Sequence, residues 1–346
     1  MSADTASQGA AMPANEPVVP QMRNVRPMWR ALLLVWLVFG STWASMLASA
    51  ALAPPMSPSL STNDSLRLQV RVHSDPTRPT LIYLPGLHGD WTLVSSFRAV
   101  ATNQFRFVEF TYPRNQEWTL NDYAAGIELA LASRGITNGW LLGESFGSQV
   151  TWALLAREQA RASSGQKMDA PSFKADGVIL AGGFVRHPLP WGVRFMQAVS
   201  ARTPSWCVKA GLFVYSQYAR FRHRRAPETL VSMREFVQRR QDPLDRLAIG
   251  HRLKLIREND PRAVAKATRV PVYALSGLVD PLVPNPWVRR WLERNCPGYR
   301  GSRMILRADH NVLATAPQLA VAQVARWTHR AAAPQPDGSP RMEPSK

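Results

Sequence analysis

A serine between two glycines is the first candidate for chemistry, in the stretch GWLLGESFGSQVTWALL at residues 139–155. A serine hydroxyl becomes a nucleophile when a neighbouring base takes its proton. Serine also caps helices well and glycine is common in tight turns, so Ser145 could equally be a turn residue. The motif alone is compatible with both interpretations, and the rest of the chain must decide between them.

A base and an acid that could activate this serine lie downstream. Of seven histidines, only His310 follows a buried strand in the last part of the predicted sheet. Asp280 lies in the loop after the strand-like segment 270–277 and could orient the imidazole. Asp309 is the neighbour of the histidine in sequence, so its side chain is expected to point elsewhere and it is the poorer candidate. Taken alone, Asp280 before Pro281 also fits a turn aspartate.

Apolar strand patterns alternate with helical patterns between residues 66 and 330, which favours an α/β fold with a mainly parallel sheet flanked by helices. Helical patterns follow Asp90, run from Leu120 to Leu131 before Gly135, and resume after Ser145. The predicted strands lie at 66–72, 81–86, 105–112, 140–143, 177–183 and 270–277, and one more directly precedes His310. The other histidines with a sequence context fall in loops or in a basic segment and are interpreted as solvated or hydrogen-bonded side chains: His88, His187, His223 and His251.

Ser145 lies where a buried strand gives way to a helix. A nucleophile elbow needs glycines on both sides of the serine, because the turn is too tight for side chains near the serine backbone. The turn also lifts the hydroxyl above the edge of the sheet. This context favours a nucleophile over a helix cap.

The segments LPGLHGD, GESFGS, SGLVDPLVP and ADHN, together with the chain order Ser145, Asp280, His310, resemble the α/β-hydrolase superfamily over residues 66–330. The resemblance implies that two backbone amides, those of Phe146 and Leu87, form an oxyanion hole. The superfamily usually has His-Gly where this chain has Pro85-Gly86, so the choice between Leu87 and a neighbouring residue stays open.

Residues 185–269 form an insertion where this superfamily usually places a helical lid, between core segments 60–184 and 270–330. The insertion has 18 Lys and Arg against 6 Asp and Glu, or +12 of the +18 net charge of the chain. Three interpretations remain: a solvated basic face, contact with an anionic membrane or acidic substrate, and nucleic-acid binding. The last lacks a recognised motif, and export from the cytoplasm argues against it.

Residues 31–53 carry no charge over 23 positions and would span about 34 Å as a helix. Three arginines precede them, which predicts a cytoplasmic N-terminus and a catalytic domain on the non-cytoplasmic side. A cleaved signal peptide within 28–53 is the alternative and would give a secreted or periplasmic protein. Both interpretations predict export. Residues 1–27 and 331–346 are expected to be flexible tails.

The length and composition fit one large domain or a domain with an insertion, since 346 residues with 45% hydrophobic side chains can bury a large core. Two cysteines exclude a disulfide framework, no zinc spacing is present, and whether Cys207 and Cys296 pair stays open. The resulting prediction is an exported serine hydrolase that cleaves a carboxylic ester or related acyl bond of a small molecule through an acyl-serine, without metal or cofactor. An acyltransferase with the same acyl-serine and a membrane-tethered, non-catalytic binding protein are the alternatives.

Overall fold

The computed structural model describes residues 67–73, 75–164, 172–202, 227–239 and 243–332, and isolated positions between 213 and 221. The predicted anchor or signal peptide and both predicted tails therefore lie outside the described residues, apart from the first two positions of the C-terminal tail, which end a helix. Within the described ranges, none of the helices combines the length and apolar character that a membrane span requires.

Seven strands form a single sheet in the spatial order β1-β3-β2-β4-β5-β6-β7. Strand β1 lies at one edge antiparallel to β3, and every other neighbouring pair is parallel. The strands are β1 Gln69–His73, β2 Thr80–Leu84, β3 Arg106–Thr111, β4 Asn138–Glu144, β5 Lys174–Ala181, β6 Val272–Val279 and β7 Tyr299–Asp309. The mainly parallel α/β sheet predicted from the sequence is confirmed.

Helices cover both faces of this sheet, and the sheet separates two buried apolar clusters, one on each face. Such double coverage explains why β2 and β4 read as continuous apolar runs, whereas the edge strand β1 alternates. The helices are α1 Ser95–Ala101, α2 Leu120–Ala132, α3 Gly147–Ser164, α4 Pro190–Arg202, α5 Pro227–Arg239, α6 Pro243–Glu258, α7 Arg262–Ala267, α8 Asn285–Asn295, α9 Val312–Thr315 and α10 Pro317–Ala332.

The helix predicted directly after Asp90 begins differently. Asp90 Oδ1 accepts a hydrogen bond from the Thr92 backbone at 2.9 Å, but the chain first makes a 3₁₀ turn at Thr92–Val94. The α-helical part starts only at Ser95. An aspartate bonded to the amide two residues on favours a turn as readily as a helix start, and here the turn comes first.

The described part of the 185–269 insertion is helical and comprises α4 to α7. Helix α5 packs beside the 3₁₀ turn and α1, and α4 packs against α6. Helix α6 also contacts the core: His251 Nε2 lies 2.8 Å from the Trp118 carbonyl oxygen, and Arg114 forms an ion pair with buried Asp245 at 2.8 Å. The insertion is therefore docked on the loops that follow β2 and β3.

Candidate active site

Ser145 forms the turn between β4 and α3 and is 92% buried, with an exposed fraction of 8%. Its φ of 49° is the only positive φ of a non-glycine residue in the described ranges. A Cβ on Gly143 would lie 3.0 Å from the Gly147 carbonyl oxygen, and a Cβ on Gly147 would overlap the Leu84 carbonyl group. Both glycines are thus required by close backbone approach, and the serine itself is held in a strained conformation.

The structure brings the three sequence-predicted residues together in one line of hydrogen bonds. His310 Nε2 lies 2.9 Å from Ser145 Oγ, and His310 Nδ1 lies 3.0 Å from Asp280 Oδ2. The carboxyl ends of parallel strands share one edge of the sheet, and each residue follows a different strand: β4, β6 and β7. The serine hydroxyl is therefore bonded to an imidazole, not to the start of α3.

Asp280 is both a turn aspartate and the partner of the histidine. Its Oδ1 accepts hydrogen bonds from the backbone N–H groups of Leu282 and Val283, at 2.9 and 3.0 Å. Its Oδ2 accepts from Asn285 Nδ2 at 3.2 Å as well as from the imidazole. These bonds fix the carboxylate plane. Asp309 bonds instead to the Asn311 backbone at 2.9 Å.

The charges of this pair stabilise each other inside the protein. Burial lowers the pKa of His310, but the charge and hydrogen bond of Asp280 outweigh burial and raise it above the usual value. Burial raises the pKa of Asp280, but the His310 charge and the hydrogen bonds outweigh it and lower that pKa. The carboxylate thus favours a protonated imidazole, which is the form that a general base reaches after it takes a proton.

A third carboxyl group lies directly beside the serine, at Glu144. Burial raises its pKa to about 7, although a hydrogen bond from Tyr83 and the His310 charge act in the opposite direction. Tyr83 donates this bond at 2.6 Å, and His88 Nε2 lies 3.9 Å from the same carboxylate oxygen, Oε2. Glu144 lies inside the GESFG motif, but the sequence does not show its burial, and sequence reasoning gave it no role.

Of the two predicted oxyanion donors, Phe146 directly follows the serine and Leu87 lies in the loop after β2. Phe146 and Leu87 are both buried, and in the described part of the chain neither backbone N–H has a hydrogen-bond acceptor. The Leu87 loop closes with a hydrogen bond from Gly89 N–H to the Gly86 carbonyl at 2.9 Å. Both N–H groups are therefore available to donate a hydrogen bond to a developing oxyanion.

Of the other histidines, two contribute to the surroundings of the site. His88 is buried against Phe236 of α5, with ring centroids 5.8 Å apart. His187 accepts a hydrogen bond from the Leu189 backbone at 3.1 Å, and burial lowers its pKa to about 4, which keeps it neutral. His187 also lines a cavity of about 220 Å³ together with Trp287 and Trp291. His223 lies outside the described residues.

In the described ranges, no group of three or more His, Cys, Asp or Glu side chains is arranged to hold a metal ion. Cys296 is a buried free thiol, and Cys207 lies outside the described residues.

Solved structures with a similar fold include three whose own chains are covered almost completely. They are the enol-lactonase from Burkholderia xenovorans LB400 (18% identity, TM-score 0.56, 76% of this chain and 96% of that chain), a thermophilic esterase from Thermogutta terrifontis (17%, 0.57, 76% and 93%), and an α/β-hydrolase enzyme from a Medee basin deep-sea metagenome library (14%, 0.56, 80% and 96%). No family model matches the chain, and no curated protein matches it in sequence. At these identities the similarity concerns the fold, and this chain has the α/β-hydrolase fold.

Proposed function

We propose that this α/β-hydrolase-fold chain is a serine hydrolase that cleaves a carboxylic ester or related acyl bond of a small molecule through an acyl-serine intermediate. The observation that carries the proposal is the continuous hydrogen-bond line from Ser145 Oγ through His310 to Asp280. A turn serine would need neither a buried imidazole at 2.9 Å nor an anchored carboxylate behind it. The enol-lactonase and esterase among the structural neighbours agree with this reaction class.

In the proposed mechanism, Asp280 holds the imidazole with its proton on Nδ1, so Nε2 can accept the hydroxyl proton of Ser145. The serine oxygen attacks the substrate carbonyl carbon, and the N–H groups of Leu87 and Phe146 stabilise the negative oxygen that forms. His310 then gives its proton to the departing alkoxide. The alcohol is released, and the acyl group remains bound to Ser145. Water attacks this ester with His310 as base, and the second tetrahedral intermediate releases the acid and the free serine.

A fluorophosphonate probe tests the nucleophile directly on the full chain, because it reacts only with a strongly activated hydroxyl. We expect one labelled peptide containing Ser145, and no labelling of Ser145→Ala. Ser163→Ala, which changes an exposed serine of α3, is the matched control and should label normally. Full labelling of folded Ser145→Ala protein would mean that the opening motif is only a turn.

Product analysis separates hydrolysis from acyl transfer. With an ester substrate in water containing a dilute alcohol, a hydrolase releases the free acid and a transferase releases the exchanged ester. We expect the free acid as the main product. A dominant exchanged ester would assign the same acyl-serine to an acyltransferase.

We also propose that the domain is exported, on the basis of the uncharged segment 31–53 and the three arginines before it. The acyl-bond chemistry is independent of this proposal. A separate proposal is that the basic charge of the insertion promotes contact with anionic surfaces. If it binds anionic surfaces, vesicle binding should fall steeply with salt, since exposed charges are screened over about 10 Å at 0.1 M.

A further inference from the structure

Arg252 of helix α6 is buried in the protein, with 1% of its surface exposed. Its Nη1 donates a hydrogen bond to the Leu87 carbonyl oxygen at 3.0 Å, and its Nη2 donates to the Pro113 carbonyl oxygen at 3.1 Å. A single guanidinium group from the insertion therefore joins the loop after β2 to the loop after β3. Arg252 is therefore an arginine of the basic insertion that is buried and not solvated.

This arginine is unusual for its burial. In the described part of the chain no carboxylate forms an ion pair with Arg252, and its Nε has no hydrogen-bond partner. Arginine is rarely buried unless it is paired, because removing its charge from water has a large desolvation cost. Two carbonyl oxygens and the nearby Tyr112 ring, 5.7 Å from Arg252 Cζ, are what stabilise the charge here.

Gly89, in the loop after β2, leaves space for the guanidinium group. Gly89 has a φ of 75°, and a Cβ at this position would overlap Arg252 Nη1 and Cζ. Gly89 also bonds through its carbonyl oxygen to the Tyr112 N–H at 2.8 Å. The positive φ favours glycine at position 89, and the absence of a Cβ leaves room for the guanidinium group against the loop.

We infer that Arg252 is a positioning residue that fixes the Leu87 backbone in the orientation needed for the oxyanion hole. The inference rests on the proposed function, because it concerns the amide that would stabilise the negative oxygen. The guanidinium group holds the Leu87 carbonyl group, which is joined through Cα to the N–H of the same residue. A change in the Leu87 backbone torsions would therefore reorient the N–H that the proposed oxyanion hole uses.

The effect on catalysis follows from the geometry that an oxyanion donor requires. A donor must lie about 2.7–3.1 Å from the developing oxyanion, and loss of one donor lowers kcat by about 10²–10³-fold. Without the guanidinium group, the carbonyl oxygens of Leu87 and Pro113 lose these donors, and the Leu87 backbone loses the hydrogen bond that ties it to helix α6. The insertion thus contributes to the reaction through the backbone and does not contact the substrate at this point.

The test compares Arg252→Met, Arg252→Lys and His251→Ala in the full chain, with p-nitrophenyl butyrate as substrate. His251→Ala is the matched control, since it removes the neighbouring α6 contact to Trp118 and leaves Leu87 untouched. We expect Arg252→Met to lower kcat by about 10²-fold with little change in KM, and Arg252→Lys to recover part of the loss by donating to one carbonyl. His251→Ala should keep kcat close to that of the wild type.

The inhibition constant of a trifluoromethyl ketone with the butyryl chain distinguishes positioning of the oxyanion donor from a purely structural role of Arg252. The ketone adds to the serine and places its oxygen in the oxyanion hole, so its inhibition constant should rise by the same factor as kcat falls. Circular dichroism and thermal unfolding establish that each variant is folded. If Arg252→Met is unfolded, the comparison is made with Arg252→Lys alone.

Three outcomes would overturn the inference or its premise, and they are distinguishable. A wild-type protein that reacts with neither the ketone nor a fluorophosphonate refutes the proposed function. A reactive wild type with unchanged kcat and ketone affinity in the folded Arg252 variants refutes the positioning role alone. An equal loss of kcat in His251→Ala would mean that general docking of α6 matters, and not the bond to Leu87.

Discussion

Asp280→Asn perturbs the hydrogen-bond line behind the serine without changing the shape of the side chain. In the wild-type protein Oδ1 accepts two backbone N–H bonds, and Oδ2 accepts from Asn285 and from His310. The amide oxygen of the variant keeps the two backbone bonds, so its NH₂ group faces the imidazole. His310 Nδ1 must then be the acceptor, and the ring proton moves to Nε2, opposite Ser145 Oγ.

A protonated Nε2 cannot take the hydroxyl proton, so the general base is lost. The expected decrease in kcat is up to ~10⁴-fold, or about 5 kcal/mol at ~1.4 kcal/mol per factor of ten. The pH dependence changes too. Asp280 raises the pKa of His310, and the base works only when neutral, so wild-type activity rises with pH through that raised pKa. In the variant, the residual activity should reach its plateau at a lower pH.

The assay measures p-nitrophenyl butyrate hydrolysis and the rate of fluorophosphonate labelling between pH 5 and 9. Asp309→Asn is the matched control, because this neighbouring carboxylate bonds to the Asn311 backbone and its amide form can still accept that bond. Its kcat should stay within about threefold of the wild type, as expected for a residue outside the reacting group. A loss below about tenfold in folded Asp280→Asn would refute the tautomer argument.

Three further predictions concern strain, a buried carboxyl group and export. Ser145→Gly should have a free energy of unfolding about 1 kcal/mol above that of Ser145→Ala, because a φ of 49° disfavours a Cβ; equal urea midpoints would contradict this. Glu144 has a pKa raised to about 7, so between pH 4.5 and 7 it stays protonated in the folded chain while it ionises in the unfolded chain. Its contribution to the free energy of unfolding should therefore fall by on the order of 3 kcal/mol as pH rises through this range. Glu144→Gln should remove that slope, and an unchanged slope in urea unfolding would oppose the assignment. A phosphatase that is active only outside the cytoplasm, fused after Thr62, should be active; a silent fusion at normal expression would refute export.

Much of the sheet could be predicted from the sequence because each strand has a distinct local pattern. The buried strands β2 and β4 are continuous apolar runs, and β1 alternates as a half-exposed edge strand does. Spatial order was not predictable in this way, since the placement of β3 between β1 and β2 depends on long-range pairing. Local patterns therefore predict the elements, and the register of distant strands is decided by packing.

The proposed catalytic residues could be nominated from the sequence because each has a local signature: glycines around Ser145, and a buried strand before Asp280 and before His310. The pKa of Glu144 had no such signature, although the residue lies inside the motif. A glutamate is normally solvated, and burial raises the pKa of this one to about 7 although the hydrogen bond from Tyr83 lowers it.

The burial of Arg252 in the insertion is a feature that the charge pattern does not predict. The local sequence around Arg252, IGHRLKLIRE, is that of an amphipathic helix with basic side chains, and 18 cationic residues in the insertion favour a solvated face for each of them. Whether one arginine is buried depends on which side of α6 meets the two carbonyl groups, and those belong to loops about 140 and 165 residues earlier. The same long-range contact gives the insertion a role that its charge does not predict. If the oxyanion hole depends on it, then sequence changes in α6 that preserve helicity and charge, such as exchange of Arg252 with Lys, can alter turnover without touching Ser145, Asp280 or His310.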